Sequence, residues 1–299
     1  MAILKEDLIQ TESCRYGLMS SFRNDKSFSR SLREYGEWAQ AEINLLGCLT
    51  DPRDTVLDVG IFVGTHALAF TRKVGDSGTV YAFEPQPVFL EVLKKNTTRN
   101  GLTNVRPYEV AVSDKRGLME LIAKDSTEPG DFGGTGSLEI DPTGGDMSAP
   151  KKIELPPIDQ LATKSCTLIK VDTENNDVDV LKGALQTHRA TRPIFYAECN
   201  SLEHGWPLLG FAGEEEYRPY LFNAQSYNSE SFRQNRGNFL VEFQEAGLVF
   251  VLANRLDVLL GRLAPPGTVA LLVPISCMDN LALALFKKSQ YKYEVMTKT

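Results

Sequence analysis

Two short apolar runs, each ending in a residue that suits a turn, narrow the fold of this chain more than any other feature. Thr55 to Val59 stops at Gly60, Thr79 to Phe83 stops at Glu84-Pro85, and a helical stretch from about Thr65 to Lys73 lies between them. Strand, helix and strand at this spacing form a β-α-β unit, whose crossover makes the two strands parallel. The alternation continues with a helix from Pro87 to about Asn100, which ends at Gly101, and a strand from Val105 to about Val112. It resumes with a strand at Thr167 to Val171, a helix at Asp177 to His188 and a strand at Pro193 to Ala197. A helix near Asn238 to Ala246 and strands at Leu248 to Leu252 and Thr268 to Pro274 complete the pattern. This predicts an α/β fold, a doubly wound and mostly parallel sheet of about seven strands.

With 299 residues and no linker-like stretch, the chain reads as one large domain over residues 51–299, preceded by an irregular or helical extension over 1–50. Within the extension, Trp38, Ala41, Leu45, Cys48 and Leu49 recur at helical spacing until Asp51-Pro52 stops them. Lys124 to Lys151 is rich in Gly, Pro, Ser, Thr and Asp and reads as a long surface loop. Asn200 to Arg236 carries Trp206, Phe211, Tyr217, Tyr220, Phe222, Tyr227 and Phe232 in a polar setting. So many aromatics outside an apolar period predict a mobile lid or wall over a bound molecule.

A net charge of −7 excludes a general footprint for duplex nucleic acid, which needs a basic face. Lys287, Lys288, Lys292 and Lys298 near the C-terminus read as a solvated tail. The five cysteines are widely spaced, with no C-x-x-C, which speaks against a disulfide framework or zinc knuckle. No leader-like segment opens the sequence, and its longest apolar run near the end, Val269 to Cys277, is too short to span a bilayer. The expectation is a cytoplasmic protein acting on a small molecule, away from nucleic acid and membrane.

The chemistry concentrates in Asp58-Val59-Gly60-Ile61-Phe62-Val63-Gly64, at a strand-to-helix turn, and in Glu84, 24 residues after Gly60 at the end of the next strand. Glycines let backbone approach a ligand, and an acid at the second strand's end accepts hydrogen bonds from two ribose hydroxyls. A dinucleotide site would show G-x-G-x-x-G, whose additional glycine seats a pyrophosphate on the helix N-terminus. Here three residues separate the glycines and Phe62 is the middle one, so an adenosine without phosphates, as in S-adenosylmethionine, is the better fit.

Seven segments, Tyr35-Gly36-Glu37-Trp38, Val56-Leu57-Asp58-Val59-Gly60, Ala82-Phe83-Glu84-Pro85, Asn100-Gly101-Leu102, Ala111-Val112-Ser113-Asp114, Gly136-Ser137-Leu138 and Leu168-Ile169-Lys170-Val171-Asp172-Thr173-Glu174, occur in this order. Together they resemble the FkbM-family methyltransferases over about residues 35–200. The resemblance implies a class I, Rossmann-like methyltransferase sheet with an antiparallel final strand, S-adenosylmethionine as methyl donor, and O-methylation of a hydroxyl on a secondary metabolite or sugar. N-methylation and a catalytically inactive nucleoside-binding module of the same fold are the alternatives. By position it implies that Asp58, Gly60 and Gly64 line the methionine portion of the cofactor, Glu84 the ribose, and the turn at Ala111 to Ser113 the adenine. It places Tyr35 and Asp172 among the cofactor-binding residues as well. Two positions depart from the family: Ile61-Phe62 stands where Ala-Asn is usual, and Glu174-Asn175-Asn176-Asp177 where Glu-Gly-Ala-Glu is usual.

For catalysis, Asp172 and Glu174 follow an apolar strand, are two residues apart and so share a face, and lie where open α/β sheets bind ligands. His204, in the aromatic segment, is the alternative base. No third oxygen ligand accompanies the two carboxylates, so no metal is expected. His66 reads as a packing or capping residue and His188 as a helix-end residue. Glu198 is balanced between acceptor binding and structural hydrogen bonding. Asn96-Thr97-Thr98 formally matches a glycosylation site and is read as idle.

Overall fold

The computed structural model describes residues 5–121, 128–133, 151–161, 165–173, 176–255 and 272–286. Glu174, Asn175, the Gly136-Ser137-Leu138 segment and the C-terminal lysines lie outside the described residues.

The chain opens with a hairpin of β1 (Ile9–Cys14) and β2 (Gly17–Phe22), followed by α1 (Phe28–Glu34) and α2 (Gln40–Cys48). The first fifty residues are therefore not simply irregular or helical. Alternating buried and exposed positions in β1 let the hairpin lay one face on the body, which a helical reading of this polar stretch overlooks. Next come β3 (Thr55–Val59), α3 (Thr65–Val74), β4 (Thr79–Phe83), α4 (Pro87–Arg99) and β5 (Val105–Tyr108), as the alternation predicts. A side ribbon of β6 (Gly117–Leu121) and β7 (Lys151–Leu155) leads to β8 (Leu168–Val171), α5 (Asp177–Lys182), α6 (Leu185–Thr191) and β9 (Ile194–Glu198). The rest is α7 (Leu202–Glu214), β10 (Tyr217–Gln225), β11 (Gln244–Leu252), β12 (Leu272–Pro274) and α8 (Met278–Phe286).

The main sheet runs β12-β10-β11-β9-β8-β3-β4-β5. Its five strands from β9 to β5 are parallel, and β11, β10 and β12 join through antiparallel pairings. The sheet thus has eight strands among the described residues, where about seven were expected. The added strand is β10, inside the segment expected to be a lid. Its Pro219 argues against a strand, since proline donates no ladder hydrogen bond, yet the Pro219 carbonyl still accepts from the Ile275 amide at 3.0 Å. Tyr217, Tyr220 and Phe222 are consequently buried in the sheet rather than displayed over a cleft. The helix expected near Asn238 to Ala246 is also absent: Gln244 to Ala246 already pair with β10 as the start of β11.

Both faces of the sheet are covered, as parallel strands require. One core gathers Phe195, Phe211, Leu221, Phe250 and Leu281 among strands, α7 and α8. The other joins Leu45, Phe70 and Leu90 of α2, α3 and α4 to Val56 and Val249 of the sheet. A third, beneath the hairpin, holds Met19, Phe22, Leu32, Phe89 and Phe132. All four residues of β8 are buried, and one is Lys170. A buried charge in a central strand needs partners.

Asn96 of α4 fastens the hairpin to the turn after β3. Its amide nitrogen donates to the carbonyls of Val63 (2.9 Å) and Ser20 (3.1 Å), and its Oδ1 accepts from the Ser20 amide at 2.6 Å. With no exposed surface, Asn96 has no room for a glycan.

Candidate active site

β3 and β8 are neighbours whose chain connections leave in opposite directions across the sheet, so a crevice opens at their carboxyl ends, where α/β sheets bind ligands. A cavity of about 410 Å³ fills this position. Gly60, Glu84 and Val110 to Ser113 line its β3-β4-β5 side, and Lys170, Asp172, Glu198, Asn200, Ser226 and Glu245 its β8-β9-β11 side.

The turn after β3 is shaped by its glycines. Gly60 has φ +80°, and a Cβ there would stand 1.8 Å from the Asp172 carbonyl oxygen. Only glycine permits this crossing of the end of β8. Gly64, at φ +95°, would drive a Cβ to 2.3 Å from Leu93 Cδ1. Gly64 is not among the cavity-lining residues and shapes the start of α3.

Phe62, between them, has φ +52°, a left-handed conformation disfavoured for a bulky side chain. Asparagine tolerates that conformation well, which gives a physical reason for the family's Ala-Asn. This chain offsets the strain by packing the Phe62 ring against Phe89 and Phe28, with centroids 4.6 and 5.0 Å away.

Glu84 is 4% exposed and lines the cavity. Its Oε2 accepts from the Phe62 amide and its Oε1 from the Gln86 amide, each at 2.9 Å. Burial pushes its pKa up to about 8, and the charges of Asp172 and Asp58 add to this against the two amides. Ala111 and Ser113 line the same side, beside Phe83, Val110 and Val112.

Lys170 and Asp172 meet at 3.0 Å, and Asp58 Oδ1 lies 3.9 Å from the same ammonium. Burial opposes the charge of Lys170, but the carboxylates of Asp172, Asp58 and Glu42 prevail and raise its pKa. Asp58 has no exposed surface, its oxygens have no hydrogen-bond partner among the described residues, and burial raises its pKa. Asp58 thus sits outside the cavity lining and acts on the site through Lys170.

Two expected site residues lie elsewhere. Tyr35 is 2% exposed, stacks on Phe239, donates from its hydroxyl to the Gly237 carbonyl and accepts from the Phe239 amide. It anchors the extension to the segment before β11, away from the cavity, because its ring finds a partner there. His204 faces a separate depression with Asp177, Asp179 and Glu203, since it lies in the first turn of α7. Asp177 receives the amide and hydroxyl of Thr173 at 3.0 and 2.9 Å, holding the chain just after Asp172. His188 is buried against the Tyr217 hydroxyl, at 2.8 Å, and burial lowers its pKa.

His66, expected to be a packing residue, lines the cavity. Its Nε2 lies 2.9 Å from Oε1 of buried Glu42, a close but bent contact, while the Tyr196 hydroxyl donates to the other Glu42 oxygen at 2.8 Å. Glu42 has a lowered pKa, since His66, Lys170 and Tyr196 together outweigh the effect of burial. Glu245 accepts from the Ser226 hydroxyl at 2.7 Å, and burial followed by the Glu42 charge lifts its pKa to about 7. Neither Glu42 nor Glu245 carries a signal in sequence, because each reaches the site only through the packing of α2 and β11.

This fold and crevice define an α/β protein with a cavity at the carboxyl ends of its parallel strands, apolar toward Val110 and Val112 and polar toward Glu198 and Glu245. The model of the methyltransferase FkbM domain matches residues 58–230, and the chain belongs to the FkbM methyltransferase family. S-adenosylmethionine is the cofactor that accompanies this membership. Comparison with curated proteins found no match.

Among solved structures, the chain is similar to methyltransferase FkbM from Methylobacillus flagellatus (16% identity, 66% of this chain and 43% of that chain, TM-score 0.43). It is also similar to an S-adenosylmethionine-dependent O-methyltransferase from Thermotoga maritima (14%, 72% and 65%, TM-score 0.42). A third is a putative methyltransferase from Streptococcus mutans in complex with S-adenosylhomocysteine (9%, 71% and 97%, TM-score 0.42). The chain spans less than two thirds of the first two of these proteins.

Proposed function

We propose that this protein transfers a methyl group from S-adenosylmethionine to a hydroxyl of a small molecule such as a secondary metabolite or sugar. The observation that carries this reading is one cavity with two unlike ends. The β3-β4-β5 end offers a backbone with no Cβ at Gly60, a buried carboxylate at Glu84 and an apolar rim at Val110 and Val112. These suit a nucleoside: Glu84 takes the ribose hydroxyls, the Ala111 to Ser113 turn the adenine, and Asp172 the methionine portion. The β8-β9-β11 end is polar and takes the acceptor.

Bound S-adenosylmethionine supplies a methyl group already activated by a positive sulfonium. The residues of the chain then align the two reactants and exclude water, which accounts for much of the rate of such transfers. Asp172, held by Lys170 at 3.0 Å, faces the junction of the two ends and orients the acceptor. Glu174, beyond the described residues, is a further proposed contact.

The two carboxylates at the acceptor end, Glu198 and Glu245, favour amine N-methylation as the second reading. Of the Asn200 to Arg236 segment expected to be a lid, Asn200 and Ser226 line the cavity, and residues 227–236 are the part that stays proposed as its cover. Five unpaired cysteines suit a reducing compartment such as the cytoplasm, and no helix among the described residues is long and apolar enough to cross a membrane. The acidic balance supports partners other than nucleic acid.

Calorimetry with S-adenosylhomocysteine, followed by mass spectrometry of candidate hydroxyl and amine acceptors incubated with S-adenosylmethionine, tests the proposal. Binding and a methyl gain on a hydroxyl compound support it. Failure to bind sinks both readings, and methyl gain on amines alone selects the second.

A further inference from the structure

We propose that His66 is the general base that takes the acceptor's proton, with Glu42 as the residue that positions it. This rests on the methyl-transfer reading above and assigns a role the sequence places elsewhere, on Asp172 and Glu174 or on His204.

The argument begins with which nitrogen is committed. His66 Nε2 sits 2.9 Å from Glu42 Oε1, and Glu42 is held by the Tyr196 hydroxyl at its other oxygen. Glu42 is 6% exposed and receives the Tyr196 hydroxyl, and a carboxylate beside Nε2 selects the tautomer with the proton there. Nδ1 then keeps its lone pair, and it has no hydrogen-bond partner among the described residues. The ring is 12% exposed and lines the cavity. An imidazole with one nitrogen on a buried carboxylate and the other free beside a ligand cavity is the arrangement that general bases share.

Position supports the same role. His66 opens α3, whereas Glu42 comes from α2 and Tyr196 from β9, the strand whose end leads into the polar compartment. Other charged groups around this cluster are Asp58, Lys170, Asp172 and Glu245. Lys170 keeps its proton beside Asp172 and Asp58 and is a poor base. Asp172 holds that ammonium at 3.0 Å through one oxygen and serves as an orienting group. Among the described residues that line the cavity, His66 supplies the imidazole.

The step balances without another reagent. The acceptor O–H bond breaks and its proton passes to Nδ1. The oxygen's freed pair closes on the methyl carbon while the carbon–sulfur pair returns to sulfur. Glu42 then faces an imidazolium, whose charge it stabilises.

The test uses the full chain labelled with 15N-histidine. Only three histidines are present, and His66→Gln and His204→Gln assign them. Long-range 1H–15N spectra should show His66 with its proton on Nε2, and Glu42→Gln should relax it to a tautomer mixture. Diethyl pyrocarbonate should modify His66 equally with and without S-adenosylhomocysteine, because the base faces the acceptor end. His66→Gln should bind S-adenosylhomocysteine within about twofold of the parent.

A proton on Nδ1 would overturn the proposal. So would shielding by S-adenosylhomocysteine or a tenfold loss of its binding in His66→Gln, since either would place His66 on the cofactor. Failure of the parent protein to bind S-adenosylhomocysteine would overturn the methyl-transfer reading itself, which the tautomer measurement does not depend on.

Discussion

The backbone amide of Phe62 donates to the carboxylate of Glu84 across 2.9 Å, joining the ends of two neighbouring parallel strands through a side chain. Glu84 is therefore both a part of the fold and the proposed ribose ligand. Glu84→Gln loses the charge and keeps only one of the two oxygens that accept from the Phe62 and Gln86 amides, so a denaturant titration of the variant is read beside its affinity. Calorimetry above about pH 8, where Glu84 is ionised, should show S-adenosylmethionine affinity weakened by about 1.5 to 3 kcal/mol, the range for hydrogen bonds to a charged acceptor. Unchanged affinity would remove Glu84 from the ribose.

The raised pKa values set the pH response of the ligand-free protein. A carboxyl whose folded pKa lies above its unfolded one holds its proton more tightly when folded. Its contribution is fully present below the ordinary carboxylate range and is lost as pH rises to the folded value. With Glu84 at about 8 and Glu245 at about 7, denaturant midpoints should fall across that window. Each group contributes at most about 1.4 kcal/mol per pH unit. Glu84→Gln should flatten the decline above about pH 7, and an identical slope in the variant would contradict the assignment.

Gly60→Ala adds one carbon where the Asp172 carbonyl already stands and forces alanine to φ +80°. The left-handed backbone costs about 1 to 2 kcal/mol and overpacking about 1 to 3 kcal/mol more. Thermal melts should register this loss together with weaker S-adenosylmethionine binding. Normal stability would mean that the turn bends aside at little cost.

Phe62→Asn restores the family's residue. It relieves about 1 to 2 kcal/mol of backbone strain but removes a half-buried ring packed on Phe28 and Phe89, whose loss costs somewhat less than the about 3 to 5 kcal/mol of a fully buried Phe. Net destabilisation of about 1 to 3 kcal/mol is expected by urea titration. A more stable variant would show that the strain outweighs the packing.

His204→Ala should leave S-adenosylmethionine binding and methyl transfer at the parent level, because His204 faces a separate depression. Assays on the purified variant check this directly, and an inactive but folded His204→Ala would restore it as a base.

What the sequence reveals here is whatever repeats or ends locally. The strands at Thr55–Val59 and Thr79–Phe83 announce themselves by apolar runs closed by Gly60 and Glu84, and both residues reach the cavity as expected. β10 is hidden because Pro219 and its polar neighbours break the run, and only pairing with β11 and β12 settles its state. The Glu42–His66 contact joins two helices 24 positions apart, and no local period encodes it. Tyr35 shows the converse: a residue in a family-like segment whose hydroxyl is taken up by Gly237 and Phe239, some 200 residues away.

Asn96 ties Ser20 to Val63, and this has a consequence for synthesis on the ribosome, where a chain emerges from its N-terminus. The hairpin leaves the exit tunnel long before the residue that fastens it, and the turn after β3 also precedes that residue. Both wait for α4, so the nucleoside turn acquires its final shape only when a third, later segment arrives. The hairpin is thus made before the residue that locks it, and a translation pause between the two would prolong the interval in which the hairpin's apolar face stays uncovered.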